Sequence, residues 1–438
     1  MWRSDSSSAS IPLLALHAFS TVATDRLFEL SGNVQSCHDA HSRRSSKTTS
    51  VSLVFDATKP AVAPHVGVVG AGQLARMMGE AARGVGVTIT VLATYYDDSA
   101  VATCQAVVLG AADDERALRE LAGHVDVITF DHELVDLDLV ERLETEGFVI
   151  RPSSAALRFA VDKAYQRQAF DEAGIRVPRF LVVRSSKDDR LDRFLDSVVT
   201  SPVVKVARGG YDGRGVAFPS TRGETYEVID DFASAGEVVV EERLELTSEV
   251  AQIVATSVAG SLVFYPLVTT VQREGMCVEV RFPSDVDAAL IDEARQLSEQ
   301  VATLVQGVGV MAIEYFVTER GLFVNEVALR PHNTGHWTIE GAATSQFAQH
   351  LRAVSGQSLG DVTPLTNRAV MVNVVGADEP GSLEAARGVG DTFVHDYGKS
   401  WRPGRKLGHV TALGDEPTSP HVRAWDSARA YGTVTREI

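Results

Sequence analysis

Val203-Val204-Lys205-Val206-Ala207-Arg208-Gly209-Gly210-Tyr211-Asp212-Gly213-Arg214-Gly215 is the stretch from which the fold is read. Its first five residues make an apolar strand interrupted only by Lys205, which the strand delivers to a loop with four glycines in seven residues. Glycine accepts φ values closed to other residues, so such a loop can wrap anionic oxygens with its N–H groups. A cation before the loop, Lys205, and one inside it, Arg214, mark those oxygens as phosphate. No Gly-Lys-Ser/Thr closes the stretch, so it is not a P-loop. A glycine-rich β-hairpin without a ligand is the alternative.

Downstream, two apolar stretches at 310–317 and 322–328 flank Glu319-Arg320-Gly321, a short turn with glycine where φ > 0 is needed. Folding the chain about Arg320 sets Glu314 opposite Glu326, on a face expected to carry Ala312, Phe316, Leu322 and Val324 as well. Opposed carboxylates on an apolar face repel, and one of them is driven to take a proton. A divalent cation removes that conflict. Mg²⁺, with Mn²⁺ as the other candidate, takes one or two protein carboxylates and completes its shell with phosphate and water. A shifted register that leaves both glutamates in solvent is the alternative. Asn325 faces the other way in a regular strand.

Upstream, Val66-Gly67-Val68-Val69 reads as a buried strand and Gly70-Ala71-Gly72-Gln73-Leu74-Ala75 as a tight turn opening a helix over 73–83. Further strands at 87–92 and 125–130 alternate with helices at 115–122 and 138–146, which predicts a parallel sheet with helices on both faces. The Gly70 turn is either a plain crossover or the phosphate loop of a dinucleotide fold, with Asp97 and Asp98 near the place of a ribose-binding acid. The expected organisation is an extension over 1–64, an α/β domain over 65–160, a mixed α+β domain over 161–365 and a small β-rich domain over 366–438. In the middle domain, strands are expected at 203–207, 237–240, 250–258, 262–268 and 310–329, and helices at 162–172, 286–305 and 342–354.

The 438 residues are 45% hydrophobic, with a formal net charge of −17. That charge argues against non-specific nucleic-acid or anionic-lipid binding, and no apolar run nears the roughly 20 residues of a membrane span. Cys37, Cys104 and Cys277 fit no disulfide or metal spacing, as in a reducing cytoplasm. Residues 1–60 are Ser-rich around a short patch, Ile11-Pro12-Leu13-Leu14-Ala15-Leu16, which is too broken for a signal peptide. A disordered extension or a misplaced start explains them better. Anionic substrates would need a local cation cluster, and Lys399, Arg402, Arg405 and Lys406 form one.

Lys205, the 209–215 loop, Glu314 and Glu326 together resemble the ATP-grasp superfamily. More closely, the chain resembles the 5-(carboxyamino)imidazole ribonucleotide synthases of purine biosynthesis, from His65 to about Leu413. Besides the loop, the resemblance rests on Gly70-Ala71-Gly72-Gln73-Leu74-Ala75-Arg76-Met77, on Asn325-Glu326 with Arg330-Pro331-His332-Asn333-Thr334-Gly335-His336-Trp337, and on Arg402-Pro403-Gly404-Arg405-Lys406-Leu407-Gly408-His409. Other ATP-grasp ligases do not share the last two.

The resemblance implies an ATP-grasp fold with an N-terminal Rossmann-like parallel-sheet domain and a small β-rich C-terminal domain. It implies ATP-dependent joining of bicarbonate to the amine of aminoimidazole ribonucleotide through carboxyphosphate, by a homodimer with no nucleic-acid or membrane partner. Lys163 and Lys205 would contact ATP phosphates under the loop, the backbone of Glu241, Glu242, Arg243 and Leu244 would read adenine, and Glu249 would accept the ribose hydroxyls. Asn325 and Gln272 would complete the nucleotide contacts, while Glu314 and Glu326 would hold Mg²⁺. Tyr211, Asp212, Arg214, Arg330, His332 and Asn333 would face bicarbonate and ribotide. Gln73 and Glu133 would reach the ribotide, with its phosphate on Lys399, Arg405 and Lys406.

Without the resemblance, the series Glu241, Glu242, Glu245 and Glu249 reads as a solvated acidic edge. The chain departs from the family pattern at Gln272 (often histidine), Thr334 (serine), Leu329 (proline) and Lys163 (arginine). A formate-using relative of the glycinamide ribonucleotide transformylase kind, a silent nucleotide-binding protein and a redox Rossmann enzyme are the other readings.

Overall fold

Short β-branched runs between amphipathic helices build the first layer. In the computed structural model, which describes residues 63–210, 215–273, 275–416 and 418–432, the expected extension falls outside the described residues except for Ala63 and Pro64. Strands His65–Val69, Thr88–Ala93, Ala106–Leu109 and Val127–Phe130 form a parallel sheet in the spatial order third, second, first, fourth. The third strand was not legible. It has four residues at the sheet edge, too few for a periodic signal. The intervening helices Glu115–Ala122 and Leu137–Thr145 start where Asp114 and Asp136 accept the first free N–H groups.

Two antiparallel sheets follow. The smaller runs Phe180–Val183, Val238–Glu241, Val203–Val206, Val216–Ala217. Its last pair is a hairpin closed by the glycine-rich loop, with Lys205 opposite Val216 and φ of +78° at Gly209 and +74° at Gly215. The glycine-rich segment thus connects two paired antiparallel strands. Tyr211, Asp212, Gly213 and Arg214 lie outside the described residues.

The larger sheet has nine strands. Eight run in the order Gly321–Ala328, Gly309–Thr318, Ser248–Thr256, Val268–Arg273, Met276–Phe282, Arg368–Val375, Lys406–Gly414, Thr392–Asp396, and Leu262–Phe264 pairs with Ser248–Thr256. The expected strand over 262–268 is broken at Tyr265-Pro266-Leu267, because proline has no N–H for a central ladder. The C-terminal strands extend this same sheet through pairing of Met276–Phe282 with Arg368–Val375. Helix Ser419–Tyr431 covers them with Ala424, Trp425 and Ala428.

Helix Ala288–Val305 seals one face of the large sheet. Its Ala294, Val301 and Val305 pack on Met311, Ile313, Tyr315, Val317, Leu322 and Val324, each buried aliphatic side chain contributing roughly 1.5–3 kcal/mol. The opposite face is apolar around Ile253, Ala312 and Ala328 and carries Glu249, Glu314 and Glu326 beside them. His350 joins the layers: its Nδ1 accepts the Val310 N–H at 3.0 Å, so its Nε2–H donates to Thr129 Oγ1 at 2.8 Å. A Cβ at Gly309 would lie 2.9 Å from that imidazole.

Candidate active site

The face that carries the glutamates is organised by one irregularity. Glu314 pairs with Glu326, as folding about Arg320 predicts, but the ladder closes at Thr318 opposite Gly321, and the register shifts between Glu314 and Tyr315. In a regular ladder from that closing pair, Asn325 would oppose Glu314. Asn325 is an extra, bulged residue, and it restores Glu326 to the face of Glu314. Two expectations are corrected. Leu322 and Val324 lie with Tyr315 on the helix-covered face, because a one-residue slip inverts every side chain beyond it. Asn325 turns inward, its Oδ1 3.5 Å from Lys205 Nζ.

The two glutamates differ in depth. Glu314 has 17% of its side chain exposed, and burial, then Glu326 and Glu249, push its carboxyl up to about 8. Glu326 opens onto the cleft at 44% exposure, with Lys163 Nζ 3.3 Å away, and that cation holds it down at about 2. The deeper carboxyl is the one that takes the proton. Two carboxylates and an amide oxygen on one hairpin suit a hard cation that takes oxygen ligands. Among the described residues no group of three or more His, Cys, Asp or Glu gathers for a metal.

Opposite, Lys205 is buried and its Nζ lies 2.7 Å from Glu241 Oε2. Burial lowers the Lys205 pKa against the pull of Glu241. Glu241 also takes Arg167 Nε at 2.6 Å; burial would raise its pKa, but Arg167 and Lys205 together hold it at about 2. Glu242 is tied to Arg179 and Arg320, its N–H donates to Arg179 O at 2.8 Å, and the Arg243 carbonyl accepts from Thr200 at 2.7 Å. The solvated-edge reading therefore fails at Glu241 and Glu242, both buried, and holds at exposed Glu245. Leu244 follows, half-buried.

A cavity of about 260 Å³ brings Glu249 and Gln272 together with Thr270 and Arg281. Burial lifts the Glu249 carboxyl to about 7, with Lys205 opposing. A larger cleft of about 420 Å³, between Arg184, Arg208 and Phe232, contains none of the sequence-predicted side chains.

The third side joins distant segments. Arg330 Nη2 lies 2.8 Å from Glu133 Oε2, and Lys399 Nζ donates to Gln73 Oε1 at 2.6 Å. Arg405 donates to Ser400 Oγ at 2.7 Å. Lys406 opens its strand and lies near enough to Glu314 to lower that carboxyl's pKa. His332 Nδ1 is engaged by Thr334, leaving Nε2 3.8 Å from Glu314 Oε1. Asn333 exchanges amide hydrogen bonds with Asn373 at 2.9 and 2.8 Å. Gln346 clamps both the N–H and the carbonyl of His332.

The Gly70 turn is not an anion site. Asp131 places its own carboxylate at the helix N-terminus, Oδ2 accepting the Gly72 N–H at 2.6 Å. A Cβ at Gly70, where φ is +97°, would collide with Asp131 Oδ1. Asp98 is likewise engaged, capping the N–H groups of Thr94 and Tyr95 at 2.9 Å.

Known proteins agree with this geometry. Family models match in series: the ribonucleotide synthetase preATP-grasp domain over residues 64–161, the ATP-grasp domain over 168–347 and the phosphoribosylaminoimidazole carboxylase C-terminal domain over 369–420. The N5-carboxyaminoimidazole ribonucleotide synthase of Mycobacterium tuberculosis is 43% identical over 365 residues, covering 81% of this chain and 85% of that protein. The chain belongs to the N5-carboxyaminoimidazole ribonucleotide synthase family. The Corynebacterium ammoniagenes synthase is 39% identical, over 81% of this chain and 88% of its own. Among solved structures, the Aspergillus clavatus synthase in complex with ADP and 5-aminoimidazole ribonucleotide aligns with a TM-score of 0.77 at 27% identity, over 84% of this chain and 99% of that one. The Thermus thermophilus synthetase gives 0.77 at 30% identity, over 85% and 100%. The fold is that of an ATP-grasp ligase, as the resemblance implied, and the redox Rossmann reading is set aside.

Three side chains of the site escaped the sequence reading. Asp131 and Gln346 act on segments far away in the chain, so no local pattern announces them. Arg167 did leave a signal: it stands four residues after Lys163 on helix Lys163–Glu172, hence on the same face.

Proposed function

We propose that this protein carboxylates 5-aminoimidazole ribonucleotide with bicarbonate and ATP, giving the N5-carboxylated ribotide, ADP and phosphate in purine biosynthesis. The observation that carries the reading is the meeting of the Glu314–Glu326 pair with Lys163 and Lys205 between two antiparallel sheets. Phosphoryl transfer needs positioned cations and little covalent help from the protein. Lys163 and Lys205 orient the ATP phosphates, with the glycine-rich loop above them, and Glu249 and the 241–244 segment seat the nucleoside. Glu314, Glu326 and Asn325 would hold Mg²⁺, or Mn²⁺, which when bound neutralises charge on the transferring phosphate.

Bicarbonate oxygen takes the γ-phosphoryl group and ADP leaves. The ribotide amine then attacks the carboxyl carbon, the C–O bond to phosphate breaks, and the amine gives up one proton. Arg330, His332, Tyr211, Asp212 and Arg214 orient the reacting groups, with Asn333 close by. Lys399, Arg405 and Lys406 bind the ribotide phosphate against the acidic background of the chain, with Gln73 and Glu133 beside it. The mixed carboxylic–phosphoric anhydride is water-labile, so enclosure by the loop protects it.

The working divisions we infer are 65–160, 161–365 and 366–438, in a cytoplasmic homodimer. The test is phosphate release by purified protein with Mg-ATP, bicarbonate and the ribotide. Release that does not depend on ribotide, or that needs formate in place of bicarbonate, would overturn the assignment.

A further inference from the structure

Arg167 has no predicted contact with a substrate, yet its guanidinium is 1% exposed. Desolvating an arginine is costly unless its charge and donors are answered, and here each of the three nitrogens has an acceptor. Nε donates to Glu241 Oε1, Nη1 to Gln166 Oε1 and Nη2 to the Asn325 carbonyl, each at 2.6 Å. Gln166 is itself oriented, its Nε2 donating to Phe159 O at 2.8 Å. The third acceptor is the informative one. Asn325 is the extra residue of the bulge and has no partner in the Glu314–Glu326 ladder, and a buried backbone carbonyl needs a donor from elsewhere.

We propose that Arg167 is a positioning residue that holds the Asn325 bulge and thereby keeps Glu326 on the face of Glu314. The proposal rests on the reading of those two glutamates as the metal carboxylates. Without the bulge, continuation of the ladder from Thr318–Gly321 sets Asn325 against Glu314 and turns Glu326 to the helix-covered face. The same guanidinium fixes Glu241, and through it Lys205, so a single side chain aligns the carboxylates with the phosphate-binding cation. Lysine retains the charge for Glu241 but has no fork to span Glu241 and the Asn325 carbonyl together.

The test measures ADP affinity by calorimetry with and without Mg²⁺ for wild type and Arg167→Lys. Wild type binds ADP more tightly with Mg²⁺. Arg167→Lys leaves metal-free affinity nearly unchanged but cuts the Mg²⁺-dependent gain by about tenfold or more, the scale on which groups behind metal ligands act. Gln166→Met, which removes one acceptor and leaves the charge, gives a smaller loss of the same kind and decides the matter if Arg167→Lys does not fold. Unchanged Mg²⁺ coupling in both variants, or parallel loss of metal-free and metal-dependent binding, overturns the proposal. The titration uses no ribotide. A wild type that couples ADP to Mg²⁺ but releases no phosphate with ribotide therefore faults the carboxylation reading alone.

Discussion

On the nucleotide side of the cleft, Lys205 and Arg167 share the buried Glu241 at 2.7 and 2.6 Å, and Lys163 lies 3.3 Å from Glu326. On the side proposed for the ribotide, Lys399 meets the neutral Gln73 amide at 2.6 Å, Arg405 meets Ser400 at 2.7 Å, and Arg330 is matched to Glu133 at 2.8 Å. Glu241, Lys205 and Arg167 are part of the protein interior, and their charges must be answered for the chain to fold at all. The second set is spread over segments from both ends of the chain. Substitutions at Glu241 and its two partners should therefore cost stability and activity together. On the proposed ribotide side, substitutions should cost affinity alone.

The largest effect belongs to Glu326→Gln. Because Glu326 opens onto the cleft, the fold should survive while ribotide-dependent phosphate release falls about a thousandfold, the scale of losing a contact to transition-state charge. A variant with near-normal turnover would remove the glutamate pair from the mechanism. Glu241→Gln comes next. It leaves Lys205 and Arg167 short of a buried countercharge and should lower unfolding free energy by about 3 kcal/mol in denaturant titrations.

Lys399→Ala is the counterpart across the cleft. Loss of a charge-assisted hydrogen bond to the ribotide phosphate should raise the ribotide KM by roughly 10- to 100-fold, with ADP affinity and melting temperature nearly unchanged. If Lys399→Ala destabilises the protein as much as Glu241→Gln does, the contrast between the two sides is broken.

The smallest effect is a pH dependence at the junction below the site. Burial lowers the His350 pKa from 6.5 to about 3. Between those values the unfolded chain binds a proton that the folded chain does not, so stability rises with pH and is lost as pH falls from 6.5 toward 3. His350→Gln keeps hydrogen-bonding capacity without titrating. Its deficit relative to wild type should shrink between pH 7 and pH 5; a constant difference would place the acid sensitivity elsewhere.

Much of the site was legible because it is written locally. The strand leading to Lys205 and the positive φ of +95° at Gly321 follow from runs of a few residues. The pairing of Glu314 with Glu326, counted about Arg320, is met only because the bulge at Asn325 offsets a turn that closes at Thr318 and Gly321. The Leu322–Val324 face was misread for the same reason: strict alternation cannot foresee an inserted residue. The Gly70 turn stood open between a plain strand-to-helix crossover and a phosphate loop, because what occupies its anion position is not local. The carboxylate that fills it comes from Asp131, 59 residues beyond Gly72.

By itself, then, the sequence determined the alternation that makes the sheets and the glycine loop. These are properties of neighbours along the chain, governed by backbone sterics and side-chain period. Only the tertiary structure decided that Asn325 bulges inward, that Glu314 rather than Glu326 takes the proton, and that Glu241 is held by Lys205 and Arg167. Those outcomes depend on burial and on contacts such as Arg167 with Asn325, 158 residues apart. Desolvation and ion pairing act through space, and no local pattern records them.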